Sequence, residues 1–142
     1  MELITDNLSR FIQTLEFSLE MLEKAKPEST DYDIFRNAVV KGYELALETS
    51  GKLLRKALKQ YTGSPRNIDE LVFKDVFRLA LKHGLLPDEE SVERWFLYRD
   101  NRNNTAHDYG IGFARDTLGL LPGFLTDVHA LENRLKEKFR ND

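Results

Sequence analysis

The longest helical pattern in the chain spans residues 30–61 and reads TDYDIFRNAVVKGYELALETSGKLLRKALKQY. Apolar side chains recur there at three- and four-residue steps, and a second aliphatic row widens their stripe to roughly 140° on a helix. Ser29, Thr30 and Asp31 offer side-chain oxygens for an N-cap, so we expect a helix from there to about Tyr61. A stripe of that width is typical of the central helix of a bundle.

The sequence before this segment predicts one more helix. Its apolar residues repeat with helical spacing from about Thr5 to Lys26, and Pro27 stops the pattern. Phe17 and Met21 fall almost opposite the apolar stripe. They predict either a surface for a subunit contact or two ordinary exposed apolar residues.

The sequence after it predicts three further helices. Residues 62–67 have loop composition, and Asp69 is expected to cap a third helix that ends before Gly84. Pro87 and Asp88 open a fourth helix, and a last one covers about 113–139, with Pro122 as a kink near its start. Five helices with short loops predict an all-α, up-and-down antiparallel bundle forming a single domain over residues 1–142.

Composition narrows the functional classes. The 142 residues include no cysteine, which excludes disulfides, thiolate metal sites and a cysteine nucleophile. The amino terminus lacks a basic segment followed by an apolar one, and no apolar run is long enough to cross a membrane, so we expect a cytoplasmic protein without membrane contact. We also expect no metal and no cofactor, because paired histidines, a calcium loop and a glycine-rich phosphate loop are all missing. The net charge of −3 means that any RNA contact must come from a local basic patch.

Chemistry-bearing residues concentrate in residues 98–109, YRDNRNNTAHDY. On one straight helix Arg102 and His107 would lie roughly 140° apart. Asn103 and Asn104 are common at helix ends, so we predict a break between Asn103 and Asp108 that lets His107 approach Arg102. A guanidinium and an imidazole in one pocket are the minimum for phosphodiester chemistry.

Structural roles are the alternative for these residues. An arginine on an apolar helix face is often held by a buried carboxylate, here Glu44 or Glu48, and His107 could be a simple cap. The basic residues of the central helix also allow two interpretations. They could follow an RNA backbone, or they could form a solvated face paired with acids of the first helix; the basic residues are Lys52, Arg55, Lys56 and Lys59, and the acids are Glu16, Glu20 and Glu23.

The segment from Arg102 to His107 resembles the motif of HEPN domains, an arginine followed four to six residues later by a histidine. Asn103 matches the polar residue directly after the arginine. Tyr109 extends the motif to Arg-x4-His-x-Tyr, which resembles the HepT-like branch of nucleotidyltransferase substrate-binding proteins. The likeness covers about residues 37–139, although Ser50-Gly51 stands where relatives usually have a bulky aromatic residue before the lysine.

The resemblance implies a four-helix-bundle core and a homodimer that cuts RNA without metal. In that comparison Arg102 stabilises charge on the phosphate, His107 moves protons and Asn103 orients either group. The resemblance further implies that the protein is the toxin of a toxin and antitoxin pair. The implied partner is a minimal nucleotidyltransferase encoded nearby, which neutralises this toxin by adenylylating Tyr109. Two alternatives remain, a non-catalytic subunit that binds a nucleotide or substrate for the nucleotidyltransferase and a pure scaffold.

Overall fold

The structure, a computed structural model, describes residues 3–104 and 111–139. These ranges contain no strand and form a short 3-10 turn at Lys59–Tyr61 and six α-helices: α1 Asp6–Lys24, α2 Thr30–Leu58, α3 Pro65–Asp69, α4 Phe73–Lys82, α5 Glu89–Asn104 and α6 Ile111–Lys138. The predicted all-α bundle is confirmed, with one short helix more than the five expected. No described helix combines the length and apolar content needed to cross a membrane.

Helix α2 is the centre of the bundle, as its wide stripe predicted. It packs against α1, α4, α5 and α6. Six residues of the predicted stripe are at most 1% exposed: Val39, Ala46, Leu47, Leu54, Ala57 and Leu58. Each fully buried leucine stabilises the fold by roughly 1.5–3 kcal/mol. The central helix is therefore fixed by burial on several sides.

Two helix starts form as the sequence predicts. The side chain of Ser29 accepts a hydrogen bond from the backbone N–H of Tyr32 at 3.0 Å, which caps α2. Asp88 Oδ1 accepts one from the backbone N–H of Ser91 at 2.8 Å, just before α5. Both caps satisfy N–H groups that have no partner inside the helix.

The connection between α2 and α4 differs from the prediction. Pro65 begins the helix α3, which occupies part of the predicted loop, because proline fits the first turn of a helix, where its missing N–H has no partner to lose. Asp69 does not cap the next helix: Val72 is the N-cap of α4 and makes no side-chain cap bond. Asp69 instead forms an ion pair with Lys59 at 2.8 Å.

Candidate functional site

The structure describes the first half of the predicted motif. Arg102 and Asn103 lie in the last turn of α5, with Arg102 half-buried and Asn103 exposed. His107 and Tyr109 lie outside the described residues, as does most of the segment in which a helix break is predicted. The described part of the site therefore consists of the end of α5 and the helices around it.

Arg102 lies beside a buried carboxylate of α2. Its Nε is 3.9 Å from Glu44 Oε2, and the two side chains are 35% and 10% exposed. That separation makes the contact an ion pair rather than a hydrogen bond. Glu44, one of the two carboxylates considered as structural partners, is therefore near Arg102, and a third of the arginine side chain stays accessible. Glu48 is exposed and lines a groove further along α2.

Hydrogen bonds between helices hold α5 just before Arg102. Tyr43 Oη donates to the carbonyl oxygen of Tyr98 at 2.7 Å, which joins α2 to α5. Asn101 Nδ2 donates to Thr117 Oγ1 at 3.1 Å, and Tyr98 Oη donates to Asp127 Oδ2 at 2.5 Å, which joins α5 to α6. The last two turns of α5 are thus fixed on two sides.

An arginine completes this network. Arg94 Nε and Nη2 each donate to Asp127, both at 2.9 Å, and the bonds raise the pKa of Arg94. Burial, together with the Asp127 carboxylate, raises the pKa of Tyr98. Burial also raises the pKa of Tyr43 to about 12. Both phenols therefore remain protonated at neutral pH and act as hydrogen-bond donors.

A second feature of the site is a groove of about 450 Å³ between α2, α4 and α5. We call it the basic groove, and its main lining residues are Glu48, Gly51, Lys52, Arg55, Phe73 and Arg99. The Arg99 guanidinium lies 4.9 Å from the centre of the Phe73 ring, within the range of a cation–π contact. A Cβ on Gly51 would come within 3.3 Å of the same ring, so glycine is what allows Phe73 to lie this close to α2.

The basic residues of α2 and the acids of α1 do not pair in the way that one of the two interpretations predicted. Glu16 lies 3.2 Å from His129 Nε2, and Glu20 pairs with Lys24 on its own helix at 3.0 Å. On α2, Arg55 Nη1 donates to the carbonyl oxygen of Ile68 at 2.8 Å. The predicted pairing of the α2 cations with acids of α1 is therefore wrong for these residues.

Residues 6–137 match the family described as nucleotidyltransferase substrate binding protein like. The chain belongs to this family. The match covers the described helices of the bundle almost completely and also spans Arg102, Asn103, His107 and Tyr109. The resemblance inferred from the motif is confirmed at the level of the family.

Two relatives of the chain are informative. The chain is 26% identical over 151 residues to a Haemophilus influenzae protein named "Probable ribonuclease HepT", and the alignment covers 99% of this chain and 100% of that protein. A solved structure from Haemophilus influenzae, described as the fold of a substrate binding domain of a nucleotidyltransferase, is similar with a TM-score of 0.82 and 25% identity. That similarity covers 94% of this chain and 99% of the other.

Some features of the site carried no signal in the sequence. The sequence does not single out Asp127, because one aspartate in the middle of a helix has no distinctive spacing. The contact of Phe73 with Arg99 joins two helices, so only the packing of the bundle reveals it.

Within residues 3–104 and 111–139, no three His, Asp or Glu side chains group closely enough to hold a metal ion.

Proposed function

We propose that this family member works in the cytoplasm with a minimal nucleotidyltransferase, as a single HEPN-type domain that cuts RNA without a metal ion. The observation that carries the proposal is the placement of Arg102 at the end of α5, a third exposed and oriented by Glu44, directly before the rest of the motif. Similarity to a probable ribonuclease along nearly the whole chain supports it.

The proposed reaction needs two groups. His107 takes the proton from a ribose 2′-hydroxyl, and O2′ then attacks the neighbouring phosphorus while the bond from phosphorus to O5′ breaks. The products are a 2′,3′-cyclic phosphate and a 5′-hydroxyl, whose oxygen receives the proton that His107 took from the 2′-hydroxyl. Arg102 stabilises the charge that develops on the phosphate oxygens, and Asn103 orients either partner. A homodimer in which two motifs meet would form the cleft for the strand.

The partner nucleotidyltransferase would neutralise this toxin by adenylylating Tyr109. The added adenylyl group would place bulk and negative charge in the cleft. Co-expression with the active partner should increase the mass of the peptide containing Tyr109 by one adenylyl group, and Tyr109→Phe should prevent the increase. An unmodified Tyr109 after co-expression would contradict this part of the proposal.

The direct test is cleavage of total RNA and tRNA by the purified, partner-free protein in excess EDTA. Arg102→Ala and His107→Ala should each abolish cleavage, because each removes a group of the proposed reaction. Arg10→Ala is the matched control, since Arg10 is an exposed arginine on α1. If the unmodified protein does not cleave RNA, the nuclease proposal fails.

A second candidate is a non-catalytic subunit that binds a nucleotide or an acceptor substrate for the nucleotidyltransferase. The family description and the solved relative, a substrate binding domain, favour it. Both candidates use Arg102, His107 and Tyr109. The variant His107→Ala distinguishes them. Loss of cleavage with unchanged ligand affinity supports the enzyme. Loss of ligand affinity in a protein whose wild type does not cleave RNA supports the binding subunit.

A further inference from the structure

The basic groove is positively charged in a chain of net charge −3. Lys52, Arg55 and Arg99 line it with one carboxylate, Glu48. Neither Lys52 nor Arg99 forms an ion pair with any part of the chain that the structure describes. Nearby cations on α4 are neutralised: Lys74 is 3.5 Å from Asp100, and Arg78 is 2.8 Å from Asp75. The positive charge of the groove is therefore local.

Contacts within the chain also hold several lining side chains of the groove in place. Gly51 lets the Phe73 ring approach α2, and the Arg99 guanidinium lies over that ring. The bond from Arg55 to the Ile68 carbonyl orients a second guanidinium. Side chains held in this way lose less conformational freedom when an anion binds, which favours binding.

A lining residue of the groove, Arg99, lies one turn before the predicted catalytic arginine on α5. Arg99 and Arg102 are three residues apart on α5, so they lie on one side of the helix with Cβ atoms about 5–6 Å apart. On α2, Glu48 is one turn from Glu44, which contacts Arg102, and Lys52 is one turn further. One ligand could therefore contact both the groove and Arg102.

We propose that the basic groove binds a backbone phosphate of the RNA strand, one or more nucleotides away from the phosphate at Arg102. An extended polyanion matches this arrangement because its charges repeat along a line. Val72, 64% exposed at the rim, offers an apolar contact to a sugar or base. The inference rests on the proposed function in taking RNA as the ligand, but it concerns binding and not cleavage.

The test measures binding to a labelled 2′-O-methyl uridine oligomer of about 12 nucleotides, within the usual range of single-strand sites. This probe lacks the attacking hydroxyl, so the wild-type protein can be used without cleavage. Lys52→Gln is the test variant, and Lys56→Gln is the matched control, because both lysines are exposed on α2 and only Lys52 lines the groove. Arg99→Gln is a second test variant, and thermal melting checks that each protein is folded.

Lys52→Gln should raise the Kd about three- to tenfold, as expected for the loss of one charge-assisted contact. The plot of log affinity against log salt should become shallower by about 0.7, the value for one phosphate contact on a single strand. Lys56→Gln should match the wild type in both. Equal Kd and slope for the Lys52 and Lys56 variants, or no binding by the wild type, would overturn the proposal.

Two competitors test whether the groove binds an RNA strand or another anionic ligand. If AMP displaces the oligomer, and if Lys52→Gln weakens the binding of AMP as much as the binding of RNA, the groove binds the phosphate of a mononucleotide and the strand proposal is wrong. If polyglutamate of equal length competes as well as RNA, the groove is a site for an acidic peptide. Cleavage of unmodified RNA is measured separately. If Lys52 contributes to binding but the protein does not cleave RNA, only the nuclease proposal is refuted. If the protein cleaves RNA but Lys52→Gln binds RNA as tightly as the wild type, only the groove proposal is refuted.

Discussion

At the scale of single residues, Arg102 combines a permanent charge with a planar set of donors. Arg102→Lys keeps the charge but loses the fork that contacts two phosphate oxygens. We expect the cleavage rate of Arg102→Lys to fall about a hundredfold, the size of effect seen when one donor to a developing oxyanion is removed. Initial rates on tRNA in EDTA measure it.

Melting temperature is the control for this variant, because lysine can still pair with Glu44. A wild-type rate in the folded Arg102→Lys protein would show that charge alone suffices. A lower rate together with a large loss of stability would instead indicate that the arginine serves the fold.

Two glycines in helix interiors should respond in opposite directions to added side chains. No described atom lies within 4 Å of a Cβ built on Gly119 in α6, so Gly119→Ala should stabilise the protein by about 0.5–1 kcal/mol. Gly51→Val must displace the Phe73 ring and should cost about 1–3 kcal/mol. Urea unfolding measures both, and a stabilising Gly51→Val would contradict the packing of Phe73 on α2.

At the scale of helices, one buried carboxylate of α6, Asp127, accepts hydrogen bonds from two side chains of α5, Arg94 and Tyr98. Asp127 is 7% exposed, and Asp116 on the same helix is 65% exposed. We expect Asp127→Asn to lower the free energy of unfolding by about 1–3 kcal/mol, because it weakens the bonds from Arg94 and Tyr98. Asp116→Asn should change it by less than about 0.5 kcal/mol.

Denaturant unfolding of the two asparagine variants compares them directly. Equal stabilities would mean that the Asp127 network does not hold α5 in place. Because Tyr98 lies one turn before Arg102, a destabilised Asp127→Asn protein should also cleave RNA more slowly than its folded fraction alone explains.

At the scale of the whole molecule, the raised pKa values of Tyr43 and Tyr98 predict how stability depends on pH. Unfolding exposes both phenols and returns their pKa to about 10. Above that pH the unfolded state loses protons that the folded state keeps, so the stabilisation present below pH 10 is lost as the pH rises through the folded pKa of Tyr43, about 12.

Thermal melting between about pH 8 and 11 should therefore show a fall beginning near pH 10. Tyr43→Phe keeps the ring but removes one titrating group and its bond to Tyr98. It should cost about 1 kcal/mol at neutral pH and make the fall less steep. The same slope in the wild type and in Tyr43→Phe would contradict a buried, protonated Tyr43.

Periodicity predicted the elements whose length lets a pattern repeat. The stripe of α2 and the cap at Ser29 are local features, and both formed as expected. Helix α3 could not be predicted in this way, because Pro65–Asp69 is too short to show a period. Of the site, Arg102 was found through its motif, and the nearby Glu44 was one of two candidates. The groove depends on Phe73 and Arg99 meeting across two helices, which no local pattern contains.

The charge distribution of the basic groove has a kinetic consequence. The net charge of −3 repels RNA weakly from afar, and at physiological salt a local field fades within about 8 Å. Few strands would be drawn in by long-range attraction, so encounter would proceed at an ordinary diffusional rate. Contacts made after arrival would then determine how long a strand stays. Added salt should therefore mainly shorten the residence time of a bound RNA and leave its rate of arrival nearly unchanged.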